Sequence, residues 1–294
     1  MAKIDKRCLF CSSKRIKNKG RLVSLSPACS NPGWLFECSN CGIFWVDNPF
    51  RKKQETKIYD QSYHFYPRSF LSIFVSFYNS VDVKLDYRLI SRYKKEGRIL
   101  DIGAGRGDLL SNFPAEKWDR WIFDPYLSGK VLLRNKVKIK SHINDYPKLD
   151  MYENNFFDVI ILRNVIEHTR DFAGLISNSY RLLKIGGIIF VRTPNMDSMD
   201  YKIFKNNWCV LNMIDHLVFF KKRTLVKILE KTDFKIILDS LITLPSPLSL
   251  YRSTKINLPK PVAILISFLY AVFSLIKNDE KDIRIIAEKY PIER

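Results

Sequence analysis

Residues 99–110 read Ile-Leu-Asp-Ile-Gly-Ala-Gly-Arg-Gly-Asp-Leu-Leu, an apolar strand that runs into three alternating glycines and then the start of a helix. Gly103, Gly105 and Gly107 carry no Cβ, so the main chain can turn sharply and a ligand can lie against it, close to the unpaired amides of the helix start. The spacing narrows the ligand. A pyrophosphate loop reads G-x-G-x-x-G, but here the third glycine falls one place early and Asp108 holds its position. Asp101, at the carboxyl end of the strand, would repel phosphate and accept hydrogen bonds from the ammonium of an amino-acid-like ligand. A purely structural turn would use the same glycines, so the segments around it decide.

Arg120-Trp-Ile-Phe-Asp124 is a second apolar strand ending in a carboxylate, 17 residues after the last glycine, and an acid so placed can take both hydroxyls of a ribose. Phe156-Phe-Asp-Val-Ile-Ile-Leu162 reads as a third strand buried on both faces, followed by Arg163-Asn-Val-Ile-Glu167-His168. Arg181-Leu-Leu-Lys-Ile-Gly-Gly-Ile-Ile-Phe-Val191 closes a helix at Gly186-Gly187 and opens another strand. Ile236 to Leu238 and Ile283 to Ala287 read as the last two strands of the same sheet.

In this order the glycine loop, the acidic strand end, the F-D-x-apolar-EH segment and the L-K-x-G-G turn resemble those of class I S-adenosylmethionine-dependent methyltransferases. Trp208, Asp215-His216-Leu217, Phe219-Phe220, Thr224-Leu225 and Thr232-Asp233-Phe234 are similar to that family's W…H-L-x-F-F…T-L…G-F stretch. Asp233 stands where the family has glycine, and Asp tolerates the left-handed backbone better than most residues. The resemblance spans residues 97–240. It implies an α/β fold: a Rossmann-like, seven-stranded, mostly parallel sheet with flanking helices, preceded by a small zinc ribbon. It also implies S-adenosylmethionine as cofactor. Asp101, Gly103, Ala104, Gly105 and Gly107 would hold its amino-acid end, Asp124 its ribose, Asn144 or Asp145 its adenine, and Arg163 completes the cofactor set.

For catalysis the candidates are His216, His168 and Glu167. Some relatives pair an E-x-x-E-H segment with a later histidine to hold a divalent metal near the accepting hydroxyl. Here Asn164 replaces the first acid, which weakens a hard-cation site. General-base catalysis by His216 or His168 stands beside the metal as an alternative, and so does plain packing.

Ahead of this region, Cys8-x-x-Cys11 and Cys38-x-x-Cys41 form two knuckles separated by 26 residues, and two such pairs can place four thiolates around one structural zinc. Trp34-Leu-Phe offers a strand before the second knuckle. A pair of disulfides is the alternative, but residues 1–7 are charged rather than apolar, so a reducing, cytoplasmic setting is expected. Cys29 and Cys209 remain as packed thiols. A zinc ribbon before the catalytic domain also occurs in a methyltransferase subgroup that the chain resembles, where it is structural or substrate-related.

The 294 residues accommodate a zinc-ribbon-like module at 1–50, a helical linker or lid at 51–96, and the methyltransferase domain at 97–294. Within the lid, Tyr59, Tyr63, His64 and Tyr66 are candidates to cover the cofactor cleft. The formal charge of +19 favours anionic partners, although Lys, Ile and Asn are abundant throughout, and charge alone does not specify nucleic acid. Residues 261–276 carry no charge and mark an apolar helical insertion at about 257–278. It is too short to span a bilayer and stands between strands of one sheet, so it either packs on the domain or touches the inner face of the membrane peripherally. Lys255, Lys260, Lys277 and Lys281 flank it.

The expected function is methylation of a hydroxyl on a small molecule or glycan, with a lipid-linked acceptor among the candidates. RNA methylation is the alternative, yet no N-P-P-Y-type motif follows the Asp158 strand and no Pro-Cys pair offers an attacking thiol. A non-catalytic S-adenosylmethionine-binding protein is a third reading.

Overall fold

The glycine turn lies where the order of a parallel sheet reverses. The computed structural model describes residues 7–8, 10–22, 33–47, 70–105, 107–124, 140–142, 149–211, 215–239, 253 and 260–291. Among them, β4 (Gly97–Ile102) pairs in parallel with β5 (Trp118–Phe123) on one side and β7 (Phe157–Arg163) on the other. Beyond β5 lies β6 (Lys140–His142), and beyond β7 lie β8 (Leu183–Pro194), β11 (Asp282–Lys289) and β10 (Phe234–Leu238). Only β11 runs against its neighbours, so the sheet is seven-stranded and mostly parallel, as expected. The chain leaves β4 for β5 on one side and later takes up β7 on the other, and a sheet of this order receives its ligand in a crevice at the carboxyl edge, beside the turns after β4 and β7. Ile99, Leu100 and Ile102 of β4 and Val159 to Leu162 of β7 are fully buried, as strands covered on both faces must be.

A second sheet has the order β1 (Ile16–Arg21), β2 (Trp34–Cys38), β3 (Phe44–Asp47) and β9 (Val218–Phe219). Its last pairing, Phe44 with Phe219 and Trp45 with Val218, joins the cysteine-bearing hairpin to the later part of the chain. Leu35, Phe44 and Val46 share one apolar cluster with Tyr201, Trp208 and Phe219.

Two expectations need correction. The glycine loop is followed not by an α-helix but by a three-residue 3-10 turn, Leu110–Asn112. The helix before β8, α2 (Phe172–Leu182), does not end at Gly186-Gly187 but at Leu182, where Leu183 turns extended. Leu183 already pairs with Phe157, and the ladder resumes at Val159 with Ile188, so residues 184–187 bulge out of the strand. A Cβ on Gly187 would lie 2.8 Å from the Lys184 carbonyl oxygen. The glycines therefore serve a strand irregularity rather than a helix cap. Asp233, by contrast, has φ 61°, the left-handed conformation expected of it, just after α4 (Lys222–Glu230); α3 (Met199–Phe204) precedes them.

At the carboxyl edge the sheet is tied to α1 (Phe70–Tyr93) by buried charge. Asp82 and Asp86, one turn apart on α1, face Arg163 from β7, Arg192 from β8 and Arg284 from β11, with Asp282 as the third acid. Asp86 Oδ2 is 2.8 Å from Arg163 Nε and 2.9 Å from Arg192 Nη1, while Asp86 Oδ1 is 2.7 Å from Arg284 Nε. Asp82 accepts from all three arginines. Three carboxylates and three guanidiniums cancel. Burial alone would raise the pKa of Asp86, but Arg192, Arg284 and Arg163 outweigh it and hold the carboxyl at about 2.

Removing one partner from such a cluster leaves an uncompensated charge indoors. Asp86→Ala is expected to cost about 3–5 kcal/mol in chemical denaturation. A lowered carboxyl pKa stabilises the fold fully above its unfolded value and loses that contribution as pH falls through the folded one. The deficit of the variant should therefore be flat near neutrality and shrink only in acid, toward pH 2. An unchanged denaturation midpoint would contradict this role.

Candidate active site

Gly103, Gly105 and Gly107 have φ of 70°, 54° and 70°, values that side chains avoid. Two of them have distinct uses. A Cβ on Gly103 would stand 2.7 Å from Cγ2 of Val165, so the turn after β7 closes on the turn after β4 only because that side chain is missing. A Cβ on Gly105 would meet nothing within 4 Å among the described residues, which leaves a bare main-chain face for a ligand. The Gly105 N–H donates to Asp124 Oδ2 at 3.0 Å and fixes the acid at the end of β5 against the turn. Ala104 packs, partly buried, on the cluster of Leu109, Ile122 and Val159.

Asp101 is 3% exposed. Burial raises its pKa to about 7, Arg163 pulls it down and Asp124 pushes it further up. An ammonium placed there would relieve both the burial and the repulsion between the acids, whereas a phosphate would aggravate them. The residues thus fit the amino-acid end of S-adenosylmethionine. The Nε and Nη2 groups of Arg163 bind Asp86 and Asp82, so this residue acts on the crevice through its field.

Two residues beyond Val165, Glu167 is fully buried. Its Oε2 accepts from Thr193 Oγ1 at 2.9 Å, and its Oε1 makes no hydrogen bond among the described residues. Burial raises its pKa. His168 Nδ1 lies 3.1 Å from the Asp215 carbonyl oxygen, and its ring meets that of His216 edge to face at 4.8 Å. The Leu217 N–H donates to the Glu167 carbonyl oxygen at 2.7 Å, which stitches the later segment onto the turn after β7. One ligand atom from each of Glu167, His168 and His216 lies within 4.8 Å of the others.

The four cysteines of the knuckles also converge. Cys8 Sγ is 3.4 Å from Cys41 Sγ, and Cys11 Sγ is 3.6 Å from Cys38 Sγ. Sulfurs about 2.3 Å from a tetrahedral zinc stand about 3.8 Å apart, close to this spacing. The hydrogen bond shared by Cys8 and Cys41 pushes the pKa of Cys8 down and that of Cys41 up, so the pair favours holding one negative charge. A cation would let all four ionise. Cys209 is a free, half-buried thiol.

Asn144, Asp145, the aromatic group at Tyr59, Tyr63, His64 and Tyr66, and Cys29 lie outside the described residues. Sequence reasoning missed Asp82, Asp86, Arg192, Asp282 and Arg284, as well as Thr193, which orients Glu167. The available signal was the pair of acids four apart, Asp82 and Asp86, the sole carboxylates of the helical stretch Phe70–Tyr93.

A family described as a methyltransferase domain matches residues 84–238, more than half of the chain. The chain belongs to this family. Its fold is that of class I S-adenosylmethionine-dependent methyltransferases. A methyltransferase of that kind from Archaeoglobus fulgidus superposes with a TM-score of 0.53 at 21% identity, over 75% of this chain and all of that one. The Burkholderia thailandensis 1,6-didemethyltoxoflavin-N1-methyltransferase, solved with S-adenosylhomocysteine, gives 0.54 at 14% identity over 85% and 95%. Among curated relatives, a ubiquinone biosynthesis O-methyltransferase of Rickettsia typhi is 24% identical over 52% of this chain and 65% of its own length. The match to one from Pelagibacter ubique is 28% identical over 51% and 68%.

In this methyltransferase fold the raised pKa of Asp101 makes a stability prediction. A carboxyl whose folded pKa exceeds its unfolded one favours the fold at low pH and costs stability as pH rises toward about 7. Asp101→Asn should therefore be more stable than the unchanged protein at pH 8, by on the order of 1–4 kcal/mol, with the difference vanishing near pH 4. Thermal melts across that range test it; a variant less stable at pH 8 would contradict the burial of an ionised Asp101.

Proposed function

We propose that this chain transfers the methyl group of S-adenosylmethionine to a hydroxyl of a small molecule or saccharide. The observation that carries the proposal is the closure of the two turns, in which Val165 occupies the space left by Gly103 and Glu167 and His168 follow directly. An acid and a histidine pair thus follow the turn that packs on the glycine loop at Gly103. Bound S-adenosylmethionine would supply a methyl carbon on a positively charged sulfur, already activated for displacement. The residues have to align the acceptor and remove its proton. In this reading Asp101, Gly103, Ala104, Gly105 and Gly107 seat the amino-acid end, Asp124 the ribose, and Asn144 or Asp145 the adenine. His216 takes the proton of the hydroxyl, with His168 packed against it. The relatives named O-methyltransferases support an oxygen acceptor.

A second reading has its own observation. Glu167 Oε1 is buried without a hydrogen-bond partner among the described residues, and it shares a 4.8 Å neighbourhood with His168 and His216, a donor set that suits a divalent metal. Such an ion would polarise the acceptor hydroxyl. The four thiols we assign to a structural zinc.

Incubation with methyl-labelled S-adenosylmethionine and fractionated cell extract should label a lipid-linked glycan, soluble glycan or small-metabolite fraction. Label confined to RNA would overturn the acceptor class, and no label in any fraction would overturn the enzyme reading. His216→Ala should reduce turnover about 100-fold or more while retaining affinity for S-adenosylhomocysteine. Loss of activity in a chelator, restored by a divalent ion, favours the metal; insensitivity favours the base. Elemental analysis should find one zinc per chain, lost together with thermal stability in Cys38→Ser. A metal-free protein with unchanged melting would contradict that assignment.

A further inference from the structure

The most conspicuous surface feature lies outside the crevice. In α5 (Lys260–Ile276), Val262, Leu265, Ile266, Leu269, Val272, Phe273 and Ile276 are exposed, Leu265 and Leu269 by 58% each and Ile276 by 72%. At 100° per residue they fall on one stripe about 120° wide. The other side of the helix is anchored. The Tyr270 hydroxyl bonds to Asp200, its ring packs on Phe204, and Ser274 is buried. The chain after the helix is fixed too, with Asp279 Oδ1 accepting from the Met199 N–H at 2.9 Å. Ile203, exposed by 54% one residue before Phe204, extends the apolar surface.

Charge is segregated around this stripe. Lys202, Lys205 and Lys277 are exposed at its rim. The neighbouring acids are engaged on the protein side: Asp200 with Tyr270, Asp279 with the α3 amide, and Glu280 with Lys222 at 2.9 Å. The chain as a whole carries +19. A soluble apolar partner would account for the stripe but not for a cationic rim; an anionic lipid surface accounts for both.

Topology excludes a crossing. No helix among the described residues is long and apolar enough to span a membrane. The 17 residues of α5 measure about 26 Å, against about 30 Å of hydrocarbon. The strands on either side, β10 and β11, pair with each other in one sheet. The same topology sets the orientation. Asp282 at the start of β11 pairs with Pro194 at the end of β8, so α5 hangs from the carboxyl edge that bears the glycine crevice.

We propose that α5 seats this protein on an anionic bilayer, lying in the interface with its apolar stripe inserted and its lysines on the headgroups, so that the crevice edge faces the membrane. Taken with the methyl-transfer reading, on which this clause rests, the acceptor is an amphiphile presented from that surface. The seating itself needs no turnover, so the two can fail separately.

The test is flotation of the full chain with vesicles of phosphatidylcholine containing about one quarter phosphatidylglycerol, alongside pure phosphatidylcholine. Co-flotation with the anionic vesicles, weakened by salt, is expected. The double variant Leu265→Ser/Leu269→Ser, altered only at exposed positions, should lose about tenfold or more of that partition while keeping its circular dichroism, melting temperature and affinity for S-adenosylhomocysteine. Failure of the folded protein to float, or equal flotation of the double variant, would overturn the proposal. So would a dimer in light scattering that the double variant converts to monomer, since the stripe would then belong to a second copy.

Discussion

A carboxylate taken out of water must find positive charge or give up its own, and the carboxyl edge of this sheet buries several. Asp82, Asp86 and Asp282 find it within the protein, in Arg163, Arg192 and Arg284. That solution holds α1 across the edge and fixes the crevice wall. Asp101 and Glu167 are left differently, with pKa values that burial raises. With Arg163, Arg192 and Arg284 committed to the other three acids, these two mark the places where a ligand supplies the charge. Asp101, buried at the end of the strand that enters the glycine turn, suits an ammonium; Glu167 stands with two histidines and suits a proton relay or a metal.

The remaining architecture serves this edge. The β4 turn can meet the β7 turn because Gly103 lacks a side chain, and the segment bearing His216 is held there by Leu217 on Glu167 and by β9 on β3. The cysteine-bearing hairpin therefore braces the segment that bears His216 rather than hanging apart from it. An ion shared by Cys8, Cys11, Cys38 and Cys41 would stiffen that brace without touching substrate.

Local patterns were legible and distant partners were not. The strand-glycine turn, the acid ending β5 and the buried β7 each state their role in a few contiguous residues, and the order of the motifs carries the topology, whereas the helix that the turn announces is only a 3-10 turn at Leu110–Asn112. The end of α2 was misread because a Gly-Gly pair signals a helix stop and a strand bulge equally well, and only the pairing of Leu183 with Phe157 decides. The charge cluster joins residues up to 202 positions apart, Asp82 with Arg284, so nothing local announces it. The apolar run of α5 was plain in the sequence, but which residues face solvent depends on Tyr270 and Ser274 being claimed by α3 and its surroundings.

The central claim is that Asp101 waits, partly protonated, for the ammonium of a sulfonium amino acid lying on the glycine turn. Calorimetric titration with S-adenosylhomocysteine at pH 7, repeated in buffers of different ionisation enthalpy, tests it directly. The account predicts saturable one-to-one binding that releases a fraction of a proton, with that release abolished in Asp101→Asn. Absence of binding by the folded protein, or proton release unchanged by the substitution, would contradict it.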